Sequence, residues 1–548
     1  MGNVTDASVE VGDLQDKSFD VCVIGSGPVG AALCHSLTQS GHKVLCIEAG
    51  STSADATRTA LSAADLSNAS NHKPVESVVS RSLGGTARLW GGRCVPFDAI
   101  DLDTRAHVPH SGWPIRFQDV ENYHARALSF IGCDPRSFEL ADLWPEAADY
   151  PDGIAFTRQS FTDEPRLDKH WDGIAASGKL ALCIETIVKQ LMLDDTGSEV
   201  SGLVVAKDGQ DHRINPAHRY VLACGGLENA RLMLNSQRNC PGFAQGSEGP
   251  LGRYYQCHFG SRMAELVLQR PNAGKAFNYR RSQSSLLQQR IGVSDAEKAQ
   301  RALLNTSFTV TNPRISDARH GSGVLSTMYL ILKSPLGRKL VAAAIRDGQI
   351  ANASGIGGHL RNVLLDLHRT AWTAGHLAIQ KFWQKRRYPM IHLYSPNGRY
   401  DLVSVSEQSP NPDNKVVLSD TCDAAGMPKL AIHYGISHDD AASLVRAHEA
   451  LDETLRASGF GQLDYRVPAE DRVDHVFAHN ETGTHQIGTT RMSETPDTGV
   501  VDRDCRVFGT QNLYVAGSSV FPTSSDANPT LAAVALALRL ADHLSHAD

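Results

Sequence analysis

The chain has 548 residues, 41% hydrophobic and 21% charged, with a formal net charge of −7. That length exceeds one ordinary domain and predicts two, successive or interleaved. The composition is that of a soluble globular protein, and the acidic balance excludes broad affinity for nucleic acid. No apolar run approaches the roughly 18 residues that cross a bilayer. The start shows no basic-then-apolar leader, and Asp6 stands where a myristoylation signal needs Ser or Thr. Eleven cysteines are scattered with no CxxC pair, the pattern of a reducing compartment and not of a disulfide framework. A cytoplasmic protein without membrane contact is expected.

Residues 1–17 are polar and acidic and read as a disordered lead. Residues 18–50 hold the most informative stretch, DVCVIGSGPVGAALCHSLTQSGHKVLCIEAG. The run VCVI predicts a buried parallel strand. Gly25 then permits the tight turn, and Gly27 lets backbone approach a pyrophosphate on the helix N-terminus. Gly30 lets the helix pack close to the strand. A second apolar run ends in Glu48, about 20 residues on, where a carboxylate can accept hydrogen bonds from an adenosine ribose. This predicts a dinucleotide site and leaves FAD and NAD open.

Residues 51–80 lack a period and read as loop with short helix. In 81–98, RSLGGTARLWGGRCVPFD, two pairs, Gly84-Gly85 and Gly91-Gly92, flank Thr86, Arg88 and Trp90. Such glycine density points to a loop lying on a flat ring system. Residues 111–135 carry a helical pattern. Residues 182–225 read as strands, and VLACGGLENARLML repeats the strand–glycine–helix pattern, so the same cofactor is touched twice. Residues 327–386 place apolar and basic residues at helical spacing and read as packed helix with a solvated basic face. Residues 404–420 predict strand, turn, strand, and 434–460 a helix ending at Gly459.

The tail holds a strand, NLYVAGSSVFP, and then Asn528-Pro529-Thr530 opening a helix, with a capping residue and Pro in the first turn. Aimed at a flavin, that helix N-terminus would stabilise negative charge on the reduced ring. His485 lies in a glycine-rich loop. His475, His479 and His485 are spaced like metal ligands, but no cysteine or HExxH pattern accompanies them, and no metal is expected.

GSGPVG with Glu48, SLGGTARLWGG, YVLACGGLENARLML, GPLGRYYQCHF, EQSPNPDNKVVLSD and the tail from His485 to His543 together resemble the glucose–methanol–choline (GMC) oxidoreductases. The wording is most similar to the pyranose oxidase and bacterial glycoside 3-oxidase branch. The resemblance implies an α/β (α+β overall) fold: a discontinuous FAD-binding Rossmann-like domain with an inserted substrate domain on an antiparallel sheet. The implied division is 18–110, 182–260 and 481–548 for FAD, and 111–181 and 261–480 for substrate. FAD contacts are expected at Gly25, Ser26, Gly27, Pro28 and Gly30, and at Glu48 and Ala49. The glycine loop adds Gly84, Gly85, Thr86, Leu89, Trp90, Gly91 and Gly92; the later strands add Val188, Ala223 and Gly225; the tail adds Gly517, Ser518, Asn528, Pro529 and Thr530. Covalent relatives carry a histidine where this chain has Leu89, so a dissociable FAD is expected. His485 matches the family's catalytic histidine and Asn528 its partner. Gln408 is expected to hydrogen-bond substrate, or else to be structural. His258 is expected to line the site, or else to be a satisfied core histidine.

The implied reaction removes a proton from a sugar or glycoside secondary alcohol to His485 and a hydride to flavin, with Asn528 donating to the same oxygen. O2 or another acceptor then reoxidises the flavin. Three alternatives stay open: a GMC dehydrogenase acting on a sterol, polyol or natural-product intermediate, a non-catalytic flavin-binding protein, and an NAD-linked dehydrogenase. Substrate identity, the carbon oxidised, the acceptor and the oligomeric state are not fixed by the sequence.

Overall fold

The computed structural model describes residues 2–14, 17–335, 355–382, 392–480 and 482–546. Five parallel strands form one sheet in the order Leu513–Val515, Ala217–Leu222, Phe19–Ile24, Val44–Ile47, Leu180–Cys183. They come from widely separated stretches because parallel neighbours need crossover connections. Their apolar runs are buried along nearly their whole length: all of Val44–Ile47 and Leu180–Cys183, and residues 21–24 of the first strand. Helix Pro28–Gln39 opens on Gly27 with Pro in its first turn, where a missing N–H leaves nothing unsatisfied. The alanine-rich helix Thr530–His546 packs against it.

A second, eight-stranded antiparallel sheet runs Gly461–Tyr465, Ala264–Leu268, Arg399–Ser406, Thr306–Thr311, Ser285–Val293, Ile154–Thr162, Arg93–Cys94, with Arg280–Arg281 beside Ser285–Val293. Helix His438–Ala457 packs against it, started by a reciprocal Ser437–Asp440 capping box. A separate hydrophobic cluster, including Phe277, Phe308, Tyr400, Leu444 and Leu451, fills this layer. The glycine loop 84–92 leads directly into Arg93–Cys94, so it carries the chain from the Rossmann turn to the edge of the second sheet.

One expectation changes and two gain detail. Residues 2–14 are not a disordered lead. Val11 and Leu14 are buried, the Val9 N–H donates to Leu182 O (3.0 Å), and Leu182 N–H donates to Ala7 O (2.8 Å). The lead thus covers an open sheet edge, which its polar composition concealed. Residues 404–420 form the expected strand, turn and strand, but the two strands belong to different sheets. Arg399–Ser406 stays in the antiparallel sheet, whereas Lys415–Cys422 pairs with Pro428–His433 in another, so Gln408 lies in the crossing between sheets. Within 327–386 the helices are Gly323–Lys333, Ile356–Leu365 and Leu367–Phe382; residues 336–354 and 383–391 lie outside the described set. Leu89 apart, every exposed large apolar side chain among the described residues lies on these helices, Leu364 and Trp372 most of all. No helix among the described residues is long and apolar enough to cross a membrane.

Backbone contact fixes the glycine turn. Gly25 has φ +106°, and a Cβ there would stand 2.5 Å from Ala223 O; a Cβ on Gly30 would stand 1.9 Å from Gly25 O. Gly30→Ala is therefore expected to lower stability by about 1–3 kcal/mol, read as a lower urea midpoint, and an unchanged midpoint contradicts that packing.

Candidate active site

A cavity of about 990 Å³ lies along the C-terminal ends of the parallel strands, where open α/β sheets take ligands. The first turn forms one wall. The Glu48 carboxylate is 6% exposed and accepts from Ser26 N–H (3.0 Å), Ser26 Oγ–H (2.5 Å) and Gly50 N–H (2.6 Å). A carboxylate has about four acceptor positions. With three filled, one acceptor position stays open at the cavity wall.

The glycines divide by what a side chain would meet. A Cβ on Gly27, Gly91, Gly225 or Gly517 would meet nothing within 4 Å, and all four line the cavity. Four positions stripped of side chain, facing open space from four separate segments, leave a cradle for an extended flat ligand. Ser26, Pro28, Ala49, Gly85, Thr86, Leu89, Trp90, Val188, Ala223, Ser518, Asn528, Pro529 and Thr530 line the same space. Gly30, Gly84 and Gly92 do not. Gly30 abuts Gly25 O, Gly84 abuts Asp168, and Gly92 abuts Thr162, so these three shape the backbone rather than face a ligand.

His485 and Asn528 meet at this cavity. Asn528 Nδ2 lies 3.1 Å from His485 Nε2. The His485 loop is tied on two sides: Ser518 Oγ–H donates to Gln486 O (2.6 Å), and Ile487 exchanges backbone hydrogen bonds with Gln256 (2.9 and 3.1 Å). A Cβ on Gly226 would stand 2.1 Å from Gln486 O, so the second glycine turn also bears on this loop. Burial, then the nearby His258 and Arg93, push His485 well below the ordinary histidine value of about 6.5.

His258 and Gln408 do not line the cavity, contrary to the expected substrate contacts. His258 Nδ1 lies 2.7 Å from His485 Nδ1, and its Nε2 lies 3.0 Å from Ser524 O. Both ring nitrogens are thereby used within the protein. Gln408 is fully buried. Its Oε1 accepts from Cys257 N–H (3.1 Å) and its Nε2–H donates to Gly435 O (2.8 Å), so neither end of the amide is left for substrate. His475 and His479 stack on each other (4.1 Å) and line a different cavity from His485.

Two groups at the site were not singled out from sequence. Arg93 lines the cavity with its guanidinium 5.4 Å over the Phe161 ring, and among the described residues no carboxylate pairs with it. Arg81 pairs with Glu228 (2.7 Å) at the second glycine turn. Both arginines stand inside the quoted 81–98 motif, so a search of that motif for charge as well as glycine would have found them.

Residues 410–537 match the GMC oxidoreductase family model. The chain thus carries a GMC oxidoreductase C-terminal domain. It is 24% identical to the paromamine 6'-oxidase of Streptomyces fradiae across 96% of this chain and 91% of that protein. It is 35% identical to the C-glycoside 3-oxidase of Microbacterium trichothecenolyticum, over 24% of each. Its fold matches a solved formate oxidase of Aspergillus oryzae, studied for FAD modification, with TM-score 0.54 and 15% identity across 97% of this chain and 98% of that one. The cavity fits FAD on its own residues: a glycine cradle, a helix N-terminus and a buried acid at one end, and a histidine at the other. Gly27→Val fills the cradle, and the purified variant is expected to keep its far-UV circular dichroism while losing visible flavin absorbance. A full flavin complement contradicts the fit.

Proposed function

We propose that the protein oxidises a secondary alcohol of a sugar or glycoside to a ketone, using non-covalent FAD. The observation that carries this reading is the His485–Asn528 pair, 3.1 Å apart at the cavity wall. Two groups so close can address one hydroxyl oxygen. The likeness to a C-glycoside 3-oxidase supports the substrate class, and Leu89, exposed toward the cavity, offers no atom for a covalent flavin bond. FAD, when bound, supplies the acceptor for a hydride from the alcohol carbon.

The chain's residues perform the rest. His485 Nε2 takes the hydroxyl proton. The Asn528 amide N–H donates to the same oxygen and fixes its carbon in one orientation. Arg93, a cation that acts on His485, favours alkoxide character as the proton leaves. Low burial-shifted basicity keeps His485 neutral and ready to accept. The alcohol thus loses its proton to His485, and bound FAD would take up the hydride and be reoxidised by O2 or another acceptor. The same reading keeps the division into FAD segments 18–110, 182–260 and 481–548 around the substrate segments.

His485→Ala is expected to slow anaerobic flavin reduction on the order of 10²–10⁴-fold with the flavin still bound. Reduction at the parent rate contradicts the assignment. The base works only unprotonated, and its pKa is lowered. The reduction rate is therefore expected to hold from neutral pH down through about 6.5 and to fall only in more acid solution. A half-maximum at or above that value contradicts the buried, neutral base.

A further inference from the structure

We propose that His258, held by the Ser524 carbonyl, fixes the tautomer of His485 and leaves its Nε2 bare toward the cavity. This rests on His485 as the base and names the residue that readies it. The argument starts at an atom with no choice. A carbonyl oxygen only accepts, so at 3.0 Å from Ser524 O His258 Nε2 carries hydrogen. A neutral imidazole has one N–H, and burial disfavours the charged form of both rings. His258 Nδ1 is therefore bare.

That bare nitrogen faces His485 Nδ1 at 2.7 Å, with the rings edge-on (76° between planes). Two nitrogens at that distance need one hydrogen between them, and only His485 Nδ1 can supply it. His485 Nε2 is then the bare nitrogen. The contact at 3.1 Å agrees, because Asn528 presents Nδ2, a donor, to it. The opposite tautomer would put two bare nitrogens face to face and two N–H groups against each other at Asn528.

The carbonyl that sets this order is itself anchored. Ser524 Oγ accepts from Gln408 N–H (3.1 Å), while Gln408 Oε1 holds Cys257 N–H, the residue before His258. Next to it, Thr523 Oγ–H donates to Asp101 O and accepts from Trp113 Nε1–H, both at 2.7 Å. Gln408 thereby joins the segment carrying His258 to the loop carrying its acceptor. His258 is a positioning residue, since it reaches the reacting atoms only through His485.

The test combines histidine ¹⁵N NMR with two variants of the holoenzyme. In the parent, His485 is expected to show a protonated Nδ1 and a bare, pyridine-type Nε2; a protonated Nε2 overturns the proposal, and this spectrum decides even if a variant fails to fold. His258→Leu removes the acceptor, so His485 should populate both tautomers and anaerobic flavin reduction should fall on the order of 10²-fold or more, with KM little changed. His258→Asn restores an acceptor oxygen at the Nδ1 position and should recover reduction to within about threefold of the parent. Parent-like tautomer and rate in His258→Leu overturn the proposal. If His485→Ala reduced flavin normally, the base assignment would fail instead, and the ¹⁵N spectrum would still report the tautomer.

Discussion

Backbone pressed on backbone is the constraint from which the site follows. Gly25 lies against Ala223, Gly30 against Gly25, Gly85 against Gly27, and Gly226 against Gln486. Each contact leaves no room for a Cβ. Together they draw the first glycine turn, the loop at 84–92, the second glycine turn and the His485 loop to one end of the parallel sheet. Side chains could not bring four loops so close. The space left over is the cavity, and its remaining glycines face it with nothing behind them.

Electrostatics then separates the two ends. At the first turn, the N–H groups of Ser26 and Gly50 donate to the buried Glu48 carboxylate. At the other end, desolvation keeps His485 and His258 neutral. Neutrality is what lets a carbonyl at Ser524 dictate the hydrogen positions along the pair, because a charged imidazole has no bare nitrogen to assign. Asp101, beneath the loop that carries Ser524 and Asn528, follows the same rule in reverse: burial first, then Asp526 and other carboxylates, raise it to about 8.

What the sequence revealed was local. The Rossmann turn was legible because Gly25, Gly27, Gly30 and Glu48 stand at spacings that a strand–turn–helix–strand unit demands. His485 and Asn528 were legible through family wording, although 43 residues separate them. The roles of His258 and Gln408 were not. His258 meets His485 across 227 residues, and Gln408 meets Cys257 across 151; no local pattern records either distance. Gly84 and Gly92 misled because a glycine in a loop reads alike whether it faces a ligand or a neighbouring Asp168 or Thr162. The N-terminal lead misled because Val9, Val11 and Leu14 are apolar residues spaced among acids, and only the open edge beside Leu182 gives them a place.

The visible spectrum of the purified protein under anaerobic conditions, before and after adding a panel of sugars and glycosides, tests the central claim most directly. The account predicts a flavin spectrum that bleaches with a glycoside or sugar and recovers when an electron acceptor is admitted. A protein without flavin, or a flavin that no alcohol bleaches, would contradict it.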